Sequence, residues 1–146
     1  MGELLEYRLD KFTFKVATDR HYLPEGVWAK VDGKLVTVGV SDFFQQHNGD
    51  VAFAEVHPIG TMVAVGEEFA TLETIKINLE LPSPVAGTIA AVNEALELEA
   101  EVINMDPYGA GWLAIIRAED WARDSANLMT AEVYFEQMKT QAQAEM

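Results

Sequence analysis

The fold of this chain is decided by the stretch Phe69-Ala70-Thr71-Leu72-Glu73-Thr74-Ile75-Lys76-Ile77-Asn78-Leu79-Glu80-Leu81. Two runs rich in β-branched and apolar residues, which are typical of β-strands, flank the single lysine Lys76. The second run ends at Pro82-Ser83-Pro84, where the prolines remove backbone donors and favour an extended or turned chain. The stretch therefore predicts a β-hairpin with Lys76 at its tip.

A short internal repeat lies on both sides of this hairpin. The segment GTMVAVGE at 60–67 aligns with GTIAAVNE at 87–94, and five of the eight positions are identical. Each copy follows a proline, Pro58 or Pro84, with a β-branched residue next. Repeated strand-and-turn units around one lysine predict two related half-sheets that close on each other, with the hairpin at their edge.

The composition indicates one folded domain without a membrane span. The chain has 146 residues, of which 49% are hydrophobic and 23% charged, and no apolar run approaches the roughly 20 residues that a bilayer requires. The amino terminus lacks the features of a secretory signal, so we expect the cytoplasm. Because the chain has no cysteine, it can form neither a disulfide scaffold nor a cysteine-ligated metal site from its own residues.

The formal net charge of -14 restricts the partners. Nucleic acid and anionic membranes both require a basic surface, so we expect neither as a partner. Basic or neutral protein surfaces fit this charge better, and the charge could also speed encounters with basic faces.

The remaining patterns predict a mainly β chain with short helices. Residues 7–16 alternate like one half-buried strand. Further predicted elements are a hairpin of 27–31 and 34–40 around Asp32-Gly33, a helix from Ser41 to His47, strands at 50–56 and 112–117, a short helix or loop at 96–104, and helices near 119–127 and 130–143. The last two helices would place Trp121, Leu128, Val133 and Phe135 against the sheets.

No pattern in the sequence indicates a catalytic site. The histidines His21, His47 and His57 are widely spaced and lie in no metal-binding motif, and no serine lies in a nucleophile-elbow pattern. Lys76 is notable because residues 35–116 contain no other lysine or arginine. An exposed lysine is protonated and a poor nucleophile by itself, but at a hairpin tip it is sterically open to an enzyme that attaches a group.

Several motifs around Lys76 resemble the glycine cleavage system H-protein family over about residues 27–117. They are Glu73-Thr74-Ile75-Lys76, Pro84-Val85-Ala86-Gly87-Thr88-Ile89, Val92-Asn93-Glu94-Ala95-Leu96, Val102-Ile103-Asn104 and Asp106-Pro107-Tyr108-Gly109-Ala110-Gly111-Trp112-Leu113, with Val38-Gly39-Val40-Ser41-Asp42-Phe43 and Gly49-Asp50-Val51 upstream.

The resemblance implies a lipoyl-domain-like hybrid barrel-sandwich and a non-catalytic carrier. Lipoic acid would be held in amide linkage on Lys76, and Glu73 would belong to the motif that the lipoate attachment enzyme recognises. Residues 1–146 would form one lipoyl-carrier domain, with an N-terminal strand or extension at 1–26, the barrel-sandwich core at 27–117 and C-terminal helices at 118–146. The lipoamide arm would shuttle a bound intermediate between enzymes.

Several residues depart from the family pattern, and these differences bear on which intermediate the lipoamide arm would carry. H-proteins usually have His-Glu-Trp where this chain has Gly26-Val27-Trp28. They usually have Ser-Asp where this chain has Leu79 and Glu80, and a proline where it has Ala100. Loss of polar residues near the arm favours the H-protein-like lipoate-binding proteins that serve a heterodisulfide-reductase-like complex in sulfur oxidation. The alternative is a glycine cleavage carrier that delivers an aminomethyl group to the glycine cleavage enzymes.

Two further alternatives concern Lys76 itself. Ile75-Lys76-Ile77 resembles the apolar-flanked lysine of biotinyl domains, although Glu73-Thr74 and the 106–113 segment favour lipoyl. In an unmodified interaction module, Lys76 would remain bare and the fold would only dock partners.

Overall fold

The computed structural model describes residues 3–145, which form three antiparallel sheets and five short helices. The strands are β1 (Leu4–Leu9), β2 (Phe12–Ala17), β3 (His21–Tyr22), β4 (Val27–Asp32), β5 (Leu35–Val40), β6 (Val51–Val56), β7 (Met62–Val63), β8 (Glu68–Thr74), β9 (Asn78–Pro82), β10 (Gly87–Val92) and β11 (Ala114–Ala118). The helices are α1 (Asp42–Asn48), α2 (Ala95–Leu98), α3 (Val102–Met105), α4 (Trp121–Ser125) and α5 (Ala131–Glu145).

Two of the sheets enclose the main hydrophobic core. The larger sheet has the strand order β3-β4-β5-β11-β10-β7, and the smaller has the order β6-β8-β9. Alternate residues of both sheets point inward, so their apolar side chains meet in one cluster. Its fully buried members include Val36, Val38, Ile89 and Ile116 from the larger sheet and Phe69, Leu72 and Leu81 from the smaller.

The predicted hairpin around Lys76 is confirmed as the pair β8 and β9. Their register places Glu73 opposite Asn78 and Leu72 opposite Leu79, which leaves Ile75, Lys76 and Ile77 in the turn. β8 is the central strand of the smaller sheet and β9 is one of its edges. The hairpin therefore projects its turn from the end of this sheet.

The two repeat copies pair with each other instead of lying in separate sheets. β7 and β10 are antiparallel, with Gly87 opposite Val63. The amide of Gly60 donates to the Ile89 carbonyl at 2.8 Å, and the Ile89 amide donates to the Thr61 carbonyl at 2.9 Å. Each copy follows a strand of the smaller sheet, β6 or β9, and contains a strand of the larger sheet, β7 or β10. The repeat therefore corresponds to two similar connections by which the chain passes from one sheet to the other.

Gly87 shows why the second copy begins with glycine. A Cβ atom at this position would overlap the carbonyl oxygen of Arg117 on β11. The close approach of β10 and β11 therefore requires a residue without a side chain.

The prediction of a single strand at residues 7–16 is wrong, because these residues belong to the two strands of a hairpin. β1 and β2 pair antiparallel with Leu9 opposite Phe12, and the turn contains Asp10, whose φ is +57°. Aspartate tolerates this left-handed conformation, and the alternating pattern continues through the turn, which hides it in the sequence. The larger sheet also extends beyond the predicted 27–117 core, because β3 adds His21–Tyr22.

The predicted helix after the second hairpin is confirmed. Ser41 is the N-cap of α1, with its Oγ accepting from the Phe44 amide at 3.1 Å, and the helix ends at Gly49 with φ +86°. In the hairpin before it, Asp32 pairs with Leu35, so the two turn residues are Gly33 and Lys34. The predicted turn was thus placed one residue too early.

The C-terminal helix α5 buries a different face from the predicted one. Ala131, Tyr134, Met138 and Ala142 are buried in a second cluster with Phe14, Val16, Tyr22, Trp28 and Phe43. Val133 was predicted to contact a sheet, but 54% of its surface is exposed. Trp121, Leu128 and Phe135 are partly buried against the two clusters, as predicted.

Over residues 3–145, no helix is both long and apolar enough to cross a bilayer.

Candidate functional site

The tip of the β8–β9 hairpin presents Lys76 to solvent between two exposed isoleucines. Ile75 is 75% exposed and Ile77 is 49% exposed. Within residues 3–145, Lys76 makes no ion pair. Lys76 is itself exposed, so its amine is open to another molecule.

Thr74 fixes the shape of this turn. Its buried Oγ1 accepts hydrogen bonds from the amides of Lys76 and Ile77, both at 3.1 Å, and donates to the Ile77 carbonyl at 3.1 Å. The Thr74 amide also donates to the Ile77 carbonyl at 2.9 Å. One threonine thus satisfies the backbone groups of the tip and holds the lysine backbone in one conformation.

The tip rests on the junction between α1 and β6. The Ile75 amide approaches the Asp50 carbonyl at 3.4 Å. A Cβ atom at Gly49 would lie 3.7 Å from the Lys76 Cε, so the aliphatic stem of the lysine passes over this glycine. Gly49 ends α1 with a φ of +86°, a conformation that favours glycine, and the stem packs against it at van der Waals distance.

Asn104, at the end of α3, supports this junction from below. Its side-chain amide donates to the Gly49 carbonyl at 3.0 Å and to Gln45 Oε1 at 3.1 Å, while its Oδ1 accepts from the Val51 amide at 2.8 Å. Asn104 was not among the site residues predicted from the sequence. Asn104 belongs to the segment Val102-Ile103-Asn104, which resembles the family, but its position beneath the tip is seen only in the fold.

Glu73, the second predicted site residue, lies near the end of β8 on the exposed face of the smaller sheet. It is opposite Phe53 of β6 on one side and Asn78 of β9 on the other. Glu73 and Lys76 therefore belong to the same hairpin but form no ion pair with each other. The carboxylate of Glu73 is open to contact by a partner.

A cleft of about 280 Å³ lies beside the edge strand β9 and contains both residues that depart from the Ser-Asp pattern. Leu79 is half-buried against the main core, whereas Glu80 is exposed. Phe43 and His47 of α1 and Tyr134 of α5 form the opposite walls. The cleft thus combines aromatic and aliphatic walls with a carboxylate on β9.

Tyr134 also ties α5 to the N-terminus of α1. Its hydroxyl lies 2.7 Å from the Oγ of Ser41, and burial raises the pKa of Tyr134 to about 12. The hydroxyl is therefore neutral at physiological pH and serves as a structural hydrogen-bonding group at the cleft.

The Asp-Pro-Tyr-Gly segment is structural and lies away from the lysine tip in the chain. The indole of Trp28 donates to the carbonyls of Val40 at 3.0 Å and Pro107 at 3.1 Å. The Arg20 guanidinium lies 4.5 Å from the Trp28 ring centre and 5.2 Å from that of Tyr108. Val27, where H-proteins usually have glutamate, is fully buried in the core.

The histidines take part in ordinary side-chain contacts. His47 Nδ1 lies 3.2 Å from Glu145, His57 Nε2 lies 3.4 Å from Glu68, and His21 packs edge-on against Trp121. No three His, Cys, Asp or Glu side chains of residues 3–145 are grouped so that they could hold a metal ion.

This geometry fits an acceptor of a covalently attached group. The amine is exposed, its backbone is held by Thr74, and its stem lies over Gly49, so a group can be attached to the amine without a change in the hairpin. The fit depends on the residues of the hairpin and its support and requires no reactive constellation around the lysine.

Comparisons with known proteins agree with this arrangement. The family described as "Glycine cleavage H-protein" matches residues 20–141. A glycine cleavage system H protein of Salinibacter ruber is 44% identical over 119 residues, which are 81% of this chain and 94% of that protein. One from Chlorobium limicola is 42% identical over 123 residues, 83% of this chain and 95% of that protein. The crystal structure of a glycine cleavage system H protein from Mycobacterium marinum has a TM-score of 0.75 and 30% identity, and covers 82% of this chain and 96% of that chain.

These matches confirm the lipoyl-domain-like barrel-sandwich and the family resemblance predicted from the sequence. Glycine cleavage H-proteins carry a lipoyl group on a lysine, which confirms lipoic acid as the expected cofactor. The family match over most of the chain and the identity to full-length relatives show that this chain belongs to the glycine cleavage H-protein family.

Proposed function

We propose that this protein is a lipoyl carrier whose lipoamide arm is attached to Lys76. The observation that carries the proposal is the position of Lys76: it is the only lysine or arginine between residues 35 and 116, and it stands at an exposed tip held by Thr74. When attached, the lipoyl group supplies a dithiolane that can carry an intermediate. The protein supplies the position and reach of the arm and no catalytic side chain.

Glu73 is proposed as part of the signal that selects Lys76 for attachment. Its carboxylate lies three residues before the lysine on the same hairpin and is exposed. An enzyme that reaches the Lys76 amine can therefore contact Glu73 at the same time.

We propose glycine cleavage as the system that this carrier serves, with an aminomethyl group as its cargo. The relatives reported above are all named glycine cleavage system H proteins. Glu80 keeps a carboxylate where the family usually has aspartate, and a carboxylate at the cleft suits a cargo that bears an amine. The partners would be the lipoate attachment enzyme and the glycine cleavage enzymes, and their cytoplasmic location remains a prediction.

The test is a loading experiment on the lipoylated protein. Incubation of the oxidised form with purified glycine decarboxylase and glycine should release CO2 and open the disulfide, so that the peptide containing Lys76 gains an aminomethyl group on one sulfur and a hydrogen on the other. Lys76→Ala protein is the matched control and should gain no mass. If lipoylated protein gains no aminomethyl group while a glycine cleavage H protein of known activity does so in the same assay, the glycine cleavage assignment is wrong.

A second candidate function is the transport of sulfur intermediates for a heterodisulfide-reductase-like complex. Leu79 favours it, because an aliphatic residue in the cleft replaces a hydroxyl that would solvate an amine and suits a less polar cargo. Incubation of the reduced, lipoylated protein with a persulfide donor should then add sulfur to the Lys76 peptide. Sulfur oxidation supported equally well by Lys76→Ala protein in place of the native carrier would exclude this candidate.

A further inference from the structure

The outer face of the smaller sheet carries carboxylates in adjacent cross-strand rows. One row pairs Phe53 of β6 with Glu73 of β8. The next row pairs Glu55 with Thr71, which is in turn opposite Glu80 of β9. Because side chains alternate between the two faces of a sheet, these residues point away from the core that Leu72 and its neighbours fill.

The charges on this face are poorly balanced by the protein itself. A hydrogen bond between the Glu80 and Glu68 side chains, together with the like charge of Glu68, raises the pKa of Glu80. His57 lies beside this pair, with its Nε2 3.4 Å from Glu68 Oε2. Like charges on one sheet face destabilise each other, so a cation placed between them would relieve repulsion.

An apolar contact accompanies these charges. Phe53 is 54% exposed, directly beside Glu73, and Ile75 at the tip is 75% exposed. Residues 35–116 contain twelve acidic side chains, and Lys76 is their only lysine or arginine. The face therefore complements a protein surface that carries lysine or arginine side chains and a shallow apolar pocket.

The position of Lys76 indicates which partner this surface serves. An enzyme that acylates the lysine amine must contact the tip itself, and the sheet face continues directly from the tip through Glu73. Enzymes that act later can reach the end of a long flexible arm without covering the same face. The partner with the greatest need for this surface is the one that installs the arm.

We propose that the outer face formed by Phe53, Glu55, Glu73 and Glu80 is the docking surface for a basic face of the lipoate attachment enzyme. The proposal rests on the proposed lipoyl attachment at Lys76 and extends recognition beyond Glu73, down two rows of the sheet. Docking of this kind accelerates association through opposite charges, so it should weaken as salt is added.

The test compares attachment kinetics of the full-length protein with a purified lipoate–protein ligase, lipoate and ATP at low and high salt. The double variant Glu55→Gln/Glu80→Gln should lower kcat/KM for attachment by about three- to tenfold at low salt and flatten its salt dependence. Phe53→Ser should lower kcat/KM with little change in salt dependence. The matched control, Glu119→Gln/Glu132→Gln, removes two exposed carboxylates outside this face and should behave as the parent.

The outcomes separate this inference from the function on which it rests. A double variant that is modified at the parent rate, or a control that slows as much as the double variant, overturns the docking surface while lipoylation of Lys76 stands. A parent protein that gains no lipoyl group overturns both. The single variants Glu55→Gln and Glu80→Gln are measured alongside, so that the comparison survives if the double variant fails to fold.

Discussion

At the scale of single residues, the presentation of Lys76 depends on neighbours that the lysine does not reveal in the sequence. Thr74 closes the turn, Gly49 ends α1 beneath the stem, and Asn104 holds the junction below. The sequence predicted the lysine at a hairpin tip because strand patterns and prolines are local signals. It could not predict the role of Asn104, which lies 28 positions from Lys76 and meets the junction only in the fold.

Replacement of Asn104 by alanine should destabilise the junction beneath the tip. The change removes three hydrogen bonds and leaves the Val51 amide and the Gly49 carbonyl without this partner, so we expect a loss of about 1–3 kcal/mol in the free energy of unfolding. Urea denaturation measures the loss, and amide exchange should increase at Gly49 and Val51. The exposed Asn127→Ala is the control; equal stability of both variants would contradict the role given to Asn104.

Asp124 provides a pH-dependent contribution to stability. The hydrogen bond from Arg123 lowers the pKa of Asp124, and a second one from the Ala86 amide at 2.9 Å adds to this effect. The folded state thus favours the ionised carboxylate. Its contribution to the free energy of unfolding is complete above the unfolded-state pKa of about 3.9 and is lost as the pH falls through the lower pKa of the folded state. The Arg123 side chain is 54% exposed, so water and salt weaken its share.

Asp124→Asn should therefore lower the free energy of unfolding by about 1–2 kcal/mol at pH 7, and the gap to the parent should narrow below about pH 4. Urea titrations at pH 7 and pH 3 measure both differences. Asp32→Asn, at an exposed hairpin end, should show a smaller effect at pH 7. A gap of the same size at both pH values would show that the Asp124 charge does not contribute.

At the scale of elements, the buried face of a helix was harder to predict than the presence of the helix. The hairpins and α1 follow from local patterns, turn residues and an N-cap. The buried face of α5 does not, because its sequence is weakly amphipathic and both Val133 and Tyr134 are plausible core residues. The pairing of Tyr134 with Ser41 and its stacking on Tyr22, with ring centres 4.5 Å apart, select the face that is buried.

The orientation of α5 is tested by two truncations on opposite faces. Met138→Ala removes a fully buried side chain and should cost about 2–5 kcal/mol of unfolding free energy. Val133→Ala shortens an exposed side chain and should change stability by less than about 0.5 kcal/mol. Thermal or urea denaturation compares the two, and a larger loss for Val133→Ala would contradict this orientation.

At the scale of the whole molecule, the sequence predicted the fold class and the carrier family because the repeat, the prolines and the motifs around Lys76 all indicate one architecture. The pairing of the repeat copies within one sheet and the β1–β2 hairpin were missed, since both depend on long-range packing or on a turn without glycine. The cargo depends on a few residues of one cleft, where Leu79 and Glu80 favour different chemistries. Fold and attachment were therefore easier to infer than the partner enzymes.

The central claim is that Lys76 carries the lipoyl group, and the most direct test is the intact mass of the protein from its native cells with peptide mapping. We expect the mass of one lipoyl group, located on the peptide that contains Lys76, and no such addition on Lys34, Lys30 or the other lysines. A biotin adduct on Lys76 would indicate a carboxyl carrier instead. An unmodified Lys76 in cells that lipoylate other proteins would contradict lipoylation at this residue and indicate an interaction module.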